Sequence, residues 1–476
     1  MTATRTLFTI REIAGLVDGE LYFPTNGLVE GSDRDAGISR VTIDSRTARE
    51  GSMFVPLPGR FADGHSYLED AVSRGATAVL IAKQFEREHR EDVSSLRERY
   101  PFAYLVVPDV LRCLQDIARY YLGKFPNLTK IGVTGSNGKT TTKEMVGAIL
   151  RRHAAAYATQ GNLNSEIGLP LSVFELDQTH RYGVFEMAMN HRGEMEILAD
   201  ILRPDVGLIT NIGRAHVGLV GSQEKIAEEK KKIFSRFTGR QQAFLPEHDS
   251  YLEFLSRGVN GRVHLFGRFS TPGVTGVTDN GVDGSVLHWH GYDVHIALPG
   301  EHNVLNALGA ISVGLELGVA PAEIVAALET VLPQFGRSEV IRGRVTVIQD
   351  CYNANPDSVK QSITSVDRMP WNGRKILVLG AMKELGDQTE VLHREIAQFA
   401  ARARVDVICF VGPEMTAVRD EVAAADFRGL ILSADTTEAI RADLVAEVRE
   451  GDLVLLKGSR SMSLEQLTPA LIEGRR

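Results

Sequence analysis

Cysteine is scarce in this chain: Cys113, Cys351 and Cys409 are the only three among 476 residues. An odd number of widely separated cysteines excludes a disulfide framework and the paired spacing of a zinc site, and fits a reducing compartment. Long apolar runs are missing too. No uninterrupted stretch approaches the roughly 20 residues that span a bilayer. Met1 to Glu20 mixes Arg, Glu and Asp with short apolar pieces where a signal peptide carries a continuous apolar core. The expectation is a soluble cytoplasmic protein with no membrane insertion. Positive charge is not in excess: the formal net charge is -8, and basic residues are dispersed except for Lys230-Lys231-Lys232. That leaves no footprint for nucleic acid over the chain. Internal repeats, low-complexity tracts and coiled-coil heptads are also lacking, so a monomer is the default expectation.

What is present is an ordinary globular composition, 43% hydrophobic and 24% charged, over a length that predicts about three domains. The most informative stretch is Ile131-Gly132-Val133-Thr134-Gly135-Ser136-Asn137-Gly138-Lys139-Thr140-Thr141-Thr142. It lies between an apolar strand-like run and a helix-like run, Thr141 to Arg152, and reads as a phosphate-binding loop. A polyphosphate can be met by backbone N–H groups at a helix start only where side chains do not obstruct the approach. Gly135 and Gly138 supply that clearance; Lys139 would reach terminal phosphates and the Thr140 hydroxyl would ligate Mg²⁺. The segment departs from the strict G-x-x-x-x-G-K-[ST] pattern at Val133, where the first glycine would stand. The plain alternative is a Gly-rich strand-to-helix turn with an incidental lysine.

The fold class read from the periodicity is α/β in three domains. Residues 1–107 carry short strand-like runs (Val41 to Ile43, Met53 to Leu57, Ala78 to Ile81, Ala103 to Val107) around helical segments such as Tyr67 to Arg74, a small α/β domain. Residues 108–334 open with a helix, Pro108 to Phe125. They continue through β-like runs at Lys130 to Val133, Tyr182 to Met189 and Val206 to Ile212, a mainly parallel sheet of ATPase type. Gly261 to Pro299 reads as a smaller β section, and helices Val304 to Leu317 and Pro321 to Leu332 close the unit. In residues 335–476 the βα rhythm restarts with Arg344 to Ile348, Lys375 to Leu379, Val405 to Val411, Leu430 to Leu432 and Leu453 to Leu456, a Rossmann-like domain. In such sheets ligands gather at the carboxyl ends of the strands.

Three further positions could carry chemistry. Glu186 ends a strand and would aim a carboxylate at the phosphate loop, although a strand-end Glu is commonly an ion-pair or capping residue. His216 ends the loop Thr210-Asn211-Ile212-Gly213-Arg214-Ala215-His216; it could bind metal or orient a carboxylate, and a lone histidine usually does neither. Lys230 sits in a helical run, Ile226 to Phe234, whose bland reading is a solvated charged face.

The phosphate loop, Gly161-Asn162-Leu163-Asn164-Ser165-Glu166-Ile167-Gly168 and the Asn211 to His216 stretch together resemble the Mur ligase family of ATP-dependent amide-forming enzymes. Asp350-Cys351-Tyr352-Asn353-Ala354-Asn355-Pro356-Asp357-Ser358, Gly380 to Gly386 and Lys457-Gly458-Ser459-Arg460 resemble the dipeptide-adding branch, while Asp44-Ser45-Arg46 and Asp63-Gly64-His65 match the part that holds a UDP-sugar. The resemblance implies ATP and Mg²⁺ as cofactors, and UDP-N-acetylmuramoyl-tripeptide and D-alanyl-D-alanine as the partners joined through an acyl phosphate. It implies that Gly135, Ser136, Asn137, Gly138, Lys139, Thr140 and Thr141 bind ATP, with Asn303 and Asp350 on the nucleotide side and Arg337 on phosphate. Thr140, Glu186, His216 and a carbamylated Lys230 would hold two metal ions, with Lys139, Glu186, His216 and Lys230 as the catalytic set. Asp44, Ser45, Arg46, Asn162 and Asn164 would contact the UDP-peptide. The sequence departs from the family pattern at Ser165, at Ala381 and at Pro246-Glu247-His248-Asp249. A diamino-acid-adding or folylpolyglutamate-type ligase of the same family, or a scaffold that binds nucleotide without turnover, are the alternatives; no Asp-Asn-Pro-Arg motif of the diaminopimelate-adding kind is present.

Overall fold

The computed structural model describes residues 5–17, 19–23, 37–59, 62–425 and 427–473. The chain divides into two compact units: residues 1–130 with 159–187 and 197–203, and residues 131–158 with 188–196 and 204–476.

The first unit is built on a five-stranded sheet of β1 (Glu20–Tyr22), β2 (Arg40–Thr42), β3 (Ser52–Phe54), β4 (Ala78–Ala82) and β5 (Ala103–Val107), in the order β1-β5-β4-β3-β2. Only β1 is antiparallel to its neighbour. Strands β4 and β5 are continuous runs of buried residues, as interior parallel strands covered on both faces require. Helix α1 (Leu68–Ser73) adds Leu68, Ala71 and Val72 to the core with Phe54 and Val79. Helix α2 (Val110–Leu122) begins two residues after Pro108: the Asp109 carboxylate accepts the Arg112 N–H at 2.9 Å and caps it, so the proline lies outside.

The second unit begins at Ile131 within β6 (Thr129–Thr134), which leads into α3 (Lys139–His153); that helix begins at Lys139 because Gly138 takes the left-handed cap position. Strand β7 (Tyr182–Glu186), in the first unit, stops at Glu186, short of Met189. Strands β8 (Val206–Ile209), β9 (Gln242–Pro246) and β10 (Arg262–Phe266) run parallel to β6 in the order β10-β9-β8-β6; helix α4 (Gln223–Lys231) lies between β8 and β9 in the chain. Val206 sits opposite Ile131 and Ile209 opposite Thr134, so β6 and β8 end side by side. The next segment is an antiparallel meander of β11 (Val274–Asp279), β12 (Ser285–Trp289) and β13 (Tyr292–Ile296) around a fully buried Trp289, followed by α5 (Glu301–Glu316), which packs on α3, and α6 (Pro321–Leu328).

The last segment holds β14 (Glu339–Arg342), β15 (Thr346–Asp350), α7 (Pro356–Arg368), β16 (Lys375–Gly380), α8 (Thr389–Ala401), β17 (Val407–Val411), β18 (Leu430–Ala434) and β19 (Leu453–Lys457). Its sheet order is β14-β15-β19-β16-β17-β18, parallel except at β14, over a core that includes Val378, Cys409, Leu444 and Leu456. All three cysteines are free and buried. Burial pushes the Cys113 and Cys351 thiols up to about 12, which keeps them unreactive.

Candidate active site

The phosphate loop follows from backbone geometry. Gly135 has φ +147°, and a Cβ there would lie 1.8 Å from the Thr210 hydroxyl oxygen. Gly138 has φ +77°, and a Cβ there would lie 2.2 Å from Asn306 Oδ1. Glycine is required at both positions. Between them the loop is pinned from the end of β8: the Ser136 N–H donates to the Asn211 carbonyl at 3.0 Å, and the Asn137 N–H donates to Asn211 Oδ1 at 3.0 Å. The Ser136 hydroxyl accepts from the Gly213 N–H at 2.8 Å and donates back to the Gly213 carbonyl at 3.1 Å. Lys139 Nζ donates to the Gly135 and Ser136 carbonyls at 2.9 and 3.2 Å, so its ammonium is held over the loop. Thr140 is buried beside it, and Thr141 belongs to the first turn of α3. A rigid concave backbone, a helix N-terminus and a placed cation are what a polyphosphate needs. Gly135→Ala is expected to weaken nucleotide binding more than about tenfold through clash and backbone strain; titration calorimetry with ATP checks it, with circular dichroism as the folding control.

Beside the loop opens a cavity of about 350 Å³, lined among others by Asn137, Asn211, Asn306, Phe269 and Gln361. The Pro246 to Asp249 segment, which departs from the family pattern, lines it too. Asp249 accepts the backbone N–H groups of Ile212 and Tyr251, each at 2.8 Å, and burial pushes its carboxyl above the usual range. Burial acts on Glu247 in the same sense, but hydrogen bonds from Ser270 and the Phe269 backbone outweigh it and hold that carboxylate low. Those bonds fix the turn that presents Phe269, 85% exposed, with His248 edge-on at 5.8 Å. Asn303 is buried, donating to the Pro299 carbonyl at 2.8 Å and accepting from Asn306 at 3.2 Å. Asn306, three residues on and on the same helix face, is the side chain that lines the cavity; sequence reasoning passed it over.

Of the remaining positions in the second unit, His216 has φ +62° and places Nδ1 2.6 Å from Glu384 Oε2. The imidazole beside it holds the Glu384 carboxylate below the usual range. Lys230 is only 1% exposed on α4, which overturns the solvated-face reading for this position. Its neighbours are tied elsewhere: Lys231 donates to the Phe254 and Arg257 carbonyls, and Lys232 pairs with Glu229 at 2.9 Å. Glu229 in turn accepts the N–H groups of Gly193 and Met195 at 2.8 and 3.1 Å. Arg337 stacks its guanidinium 4.2 Å from the Tyr352 ring centroid. Asp350 pairs with the buried Lys457 at 2.9 Å and accepts from the Ser362 hydroxyl at 2.7 Å. Ala381 is fully buried, with its N–H donating to the Val411 carbonyl at 2.9 Å.

In the first unit, Glu186 is 2% exposed at the end of β7 and accepts from Asn164 Nδ2 at 2.7 Å, while its own N–H donates to the Thr159 hydroxyl. Asn162 is exposed, and its carbonyl accepts the Asn164 N–H at 2.8 Å. Ser165, another departure from the family pattern, accepts the Gly168 N–H at 3.1 Å where the following short helix begins. Asp44 caps a turn by accepting the Arg46 N–H at 3.0 Å and grips the Arg46 guanidinium at 2.9 and 2.7 Å. The Arg46 contact holds the Asp44 carboxyl below its usual range, and the Arg46 side chain is 81% exposed; Ser45 between them is buried. The Asp63 carboxylate lies 2.6 Å from His65 Nδ1, and His65 Nε2 accepts the Ala82 N–H at 3.0 Å.

A parallel α/β core with a phosphate loop at its strand ends and a cavity of about 350 Å³ beside that loop has the architecture of a nucleotide-dependent enzyme. Residues 133–314 match the family description "Mur ligase middle domain", residues 336–460 "Mur ligase, glutamate ligase domain" and residues 37–121 "Mur ligase family, catalytic domain". The chain belongs to the Mur ligase family. It is 41% identical to the UDP-N-acetylmuramoyl-tripeptide--D-alanyl-D-alanine ligase of Treponema pallidum, over 91% of this chain and 94% of that one. The structure is similar to that of MurF from Acinetobacter baumannii (TM-score 0.85, 29% identity, 98% and 99% of the two chains). It is also similar to that of MurF from Thermotoga maritima in complex with ADP (TM-score 0.78, 28% identity, 91% and 97%).

Proposed function

We propose that the chain joins D-alanyl-D-alanine to UDP-N-acetylmuramoyl-tripeptide at the expense of ATP, giving the UDP-muramoyl-pentapeptide precursor of peptidoglycan. The observation that carries the reading is the pinned phosphate loop with Lys139 over it, in a chain 41% identical to a ligase of that name across nearly its full length. Amide formation from a carboxylate and an amine is uphill in water, so the carboxylate is first phosphorylated. Lys139 and the N–H groups at the start of α3 take the phosphate charge as the γ-phosphoryl moves to the tripeptide carboxylate. The dipeptide amine then attacks the acyl phosphate, and inorganic phosphate leaves from a tetrahedral intermediate. Mg²⁺, when bound, supplies further charge neutralisation on the transferring group.

By the family resemblance Thr140 and His216 of the second unit and Glu186 of the first would be the Mg²⁺ ligands, and their hydroxyl, imidazole and carboxylate groups are donors that a hard divalent cation accepts. Lys230, buried on α4 at 1% exposure, would join them as a carbamate, an anionic oxygen ligand for a hard cation. Arg46, oriented by Asp44, would hold the diphosphate of the UDP moiety, with Ser45, Asn162 and Asn164 on the same substrate. Arg337 and Asp350 would meet ATP from the C-terminal side, with Asn303 acting through Asn306. We assign residues 1–107 to UDP-sugar binding, 108–334 to ATP and 335–476 to the dipeptide. The working form in this reading is a cytoplasmic monomer; among the described residues no helix is long and apolar enough to cross a membrane.

Phosphate release and product mass, followed with ATP, Mg²⁺, the UDP-tripeptide and D-alanyl-D-alanine each omitted in turn, test the reading. A pentapeptide formed only in the complete mixture is expected; product from UDP-muramoyl-dipeptide and a diamino acid instead would reassign the substrate. Phe269→Ala is expected to raise KM for ATP about tenfold through loss of a stacking surface for the base, while KM for the UDP-tripeptide stays unchanged.

A further inference from the structure

Arg214 is not among the residues that the phosphate loop or the metal set requires, yet its guanidinium pairs with two carboxylates. It lies between Asn211, which pins the loop, and His216. Its Nε and Nη2 donate to Asp357 Oδ1 at 3.2 and 3.0 Å, and its Nη1 and Nη2 donate to the two oxygens of Glu395 at 2.8 and 3.2 Å. Its own backbone N–H donates to Asp357 Oδ2 at 2.6 Å. Asp357 stands in the first turn of α7 and Glu395 on α8, where Lys360 joins it, so one guanidinium ties the loop after β8 to two helices of the last segment. The side chain is 22% exposed, which limits screening of the pairs.

The same approach is recorded in the backbone. A Cβ on Gly213 would lie 2.6 Å from Asp357 Oδ2, and one on Gly218 would lie 2.2 Å from the Gly386 nitrogen, so both glycines allow the two segments to touch. Between them the Gly218 N–H donates to the Glu384 carbonyl at 3.0 Å. Next to the network, Asn137 of the phosphate loop and Asn355, the N-cap of α7, exchange amide hydrogen bonds at 2.7 and 3.4 Å. Neutral amide pairs are weak fasteners, whereas bidentate guanidinium–carboxylate pairs hold both distance and orientation.

We propose that Arg214 is a positioning residue that fastens the C-terminal segment across the phosphate loop, keeping the dipeptide in and water out while the acyl phosphate exists. This rests on the ligase reading above for its chemistry and not for its geometry. With the latch open, water adds to the acyl carbon of the acyl phosphate, the phosphate leaves and the free carboxylate is regenerated, so ATP is spent without an amide bond.

The test uses the full chain with Arg214→Ala, Arg214→Lys and Glu395→Gln. Expected for Arg214→Ala is a rise in KM for D-alanyl-D-alanine of about ten- to a hundredfold, with KM for ATP within twofold, and a ratio of phosphate released to amide formed that climbs well above one. Arg214→Lys should fall between, since an ammonium cannot grip both carboxylates in a fork; Glu395→Gln, which spares Asp357, should show the same split more weakly and guards against a folding defect in the alanine variant. Equal changes in every KM, or a ratio that stays at one, would overturn the assignment. X-ray scattering of the wild type and Arg214→Ala with a non-hydrolysable ATP analogue separates the two readings. A larger radius of gyration in the variant is expected, and an unchanged one removes the latch whatever the substrates prove to be.

Discussion

Lys139→Ala is expected to lower kcat for ligation by about three orders of magnitude, about 4 kcal/mol of transition-state stabilisation, with KM for the UDP-tripeptide nearly unchanged. The ammonium is held by the Gly135 and Ser136 carbonyls at 2.9 and 3.2 Å, at the mouth of the helix that would receive the phosphates. Charge that builds on the transferring phosphoryl group is met there by a cation already in position, and no other side chain of the loop carries one. The scale of the effect follows from removing a preorganised charge from the transferring group. Steady-state kinetics with product detection by mass checks it. Retention of more than about a tenth of the wild-type rate would place the phosphates elsewhere.

Glu186→Gln is expected to cut kcat/KM by about a hundred- to a thousandfold and to raise the Mg²⁺ concentration needed for half-maximal rate. The substitution keeps the shape and leaves an oxygen for Asn164, which donates to the native carboxylate at 2.7 Å, so folding should survive. What is lost is a negative charge at a position 2% exposed, where low local screening would strengthen its pull on the proposed divalent ion. A direct readout is Mn²⁺ binding in the presence of ADP, followed by electron paramagnetic resonance. Unchanged affinity together with unchanged turnover would show that Glu186 is a structural partner of Asn164 and nothing more.

The expected strands of residues 335–476 were all found within a few residues, because interior parallel strands are continuous apolar runs bounded by polar turns, and that pattern is local. Element ends were less legible. Strand β7 stops at Glu186, and α2 starts after Asp109 and not at Pro108, because caps and sheet partners set those ends. The turn from β6 into α3 and the glycine clearances at Gly135 and Gly138 could be read from the sequence, since they are properties of a short segment. Lys230 could not be chosen over Lys231 and Lys232 on pattern alone; burial singles it out, and burial belongs to the packed structure.

The sequence by itself determined the α/β class, the loop and the family, because each depends on residue types at short spacing. Only the tertiary structure decided that Asn306 and not Asn303 lines the cavity, that Phe269 stands at its mouth and that Glu384 faces His216. It alone brought Arg214 to Asp357 and Glu395, 143 and 181 residues away along the chain. A guanidinium recognises carboxylates by distance and angle, and neither is written in the spacing of the residues that the fold carries together.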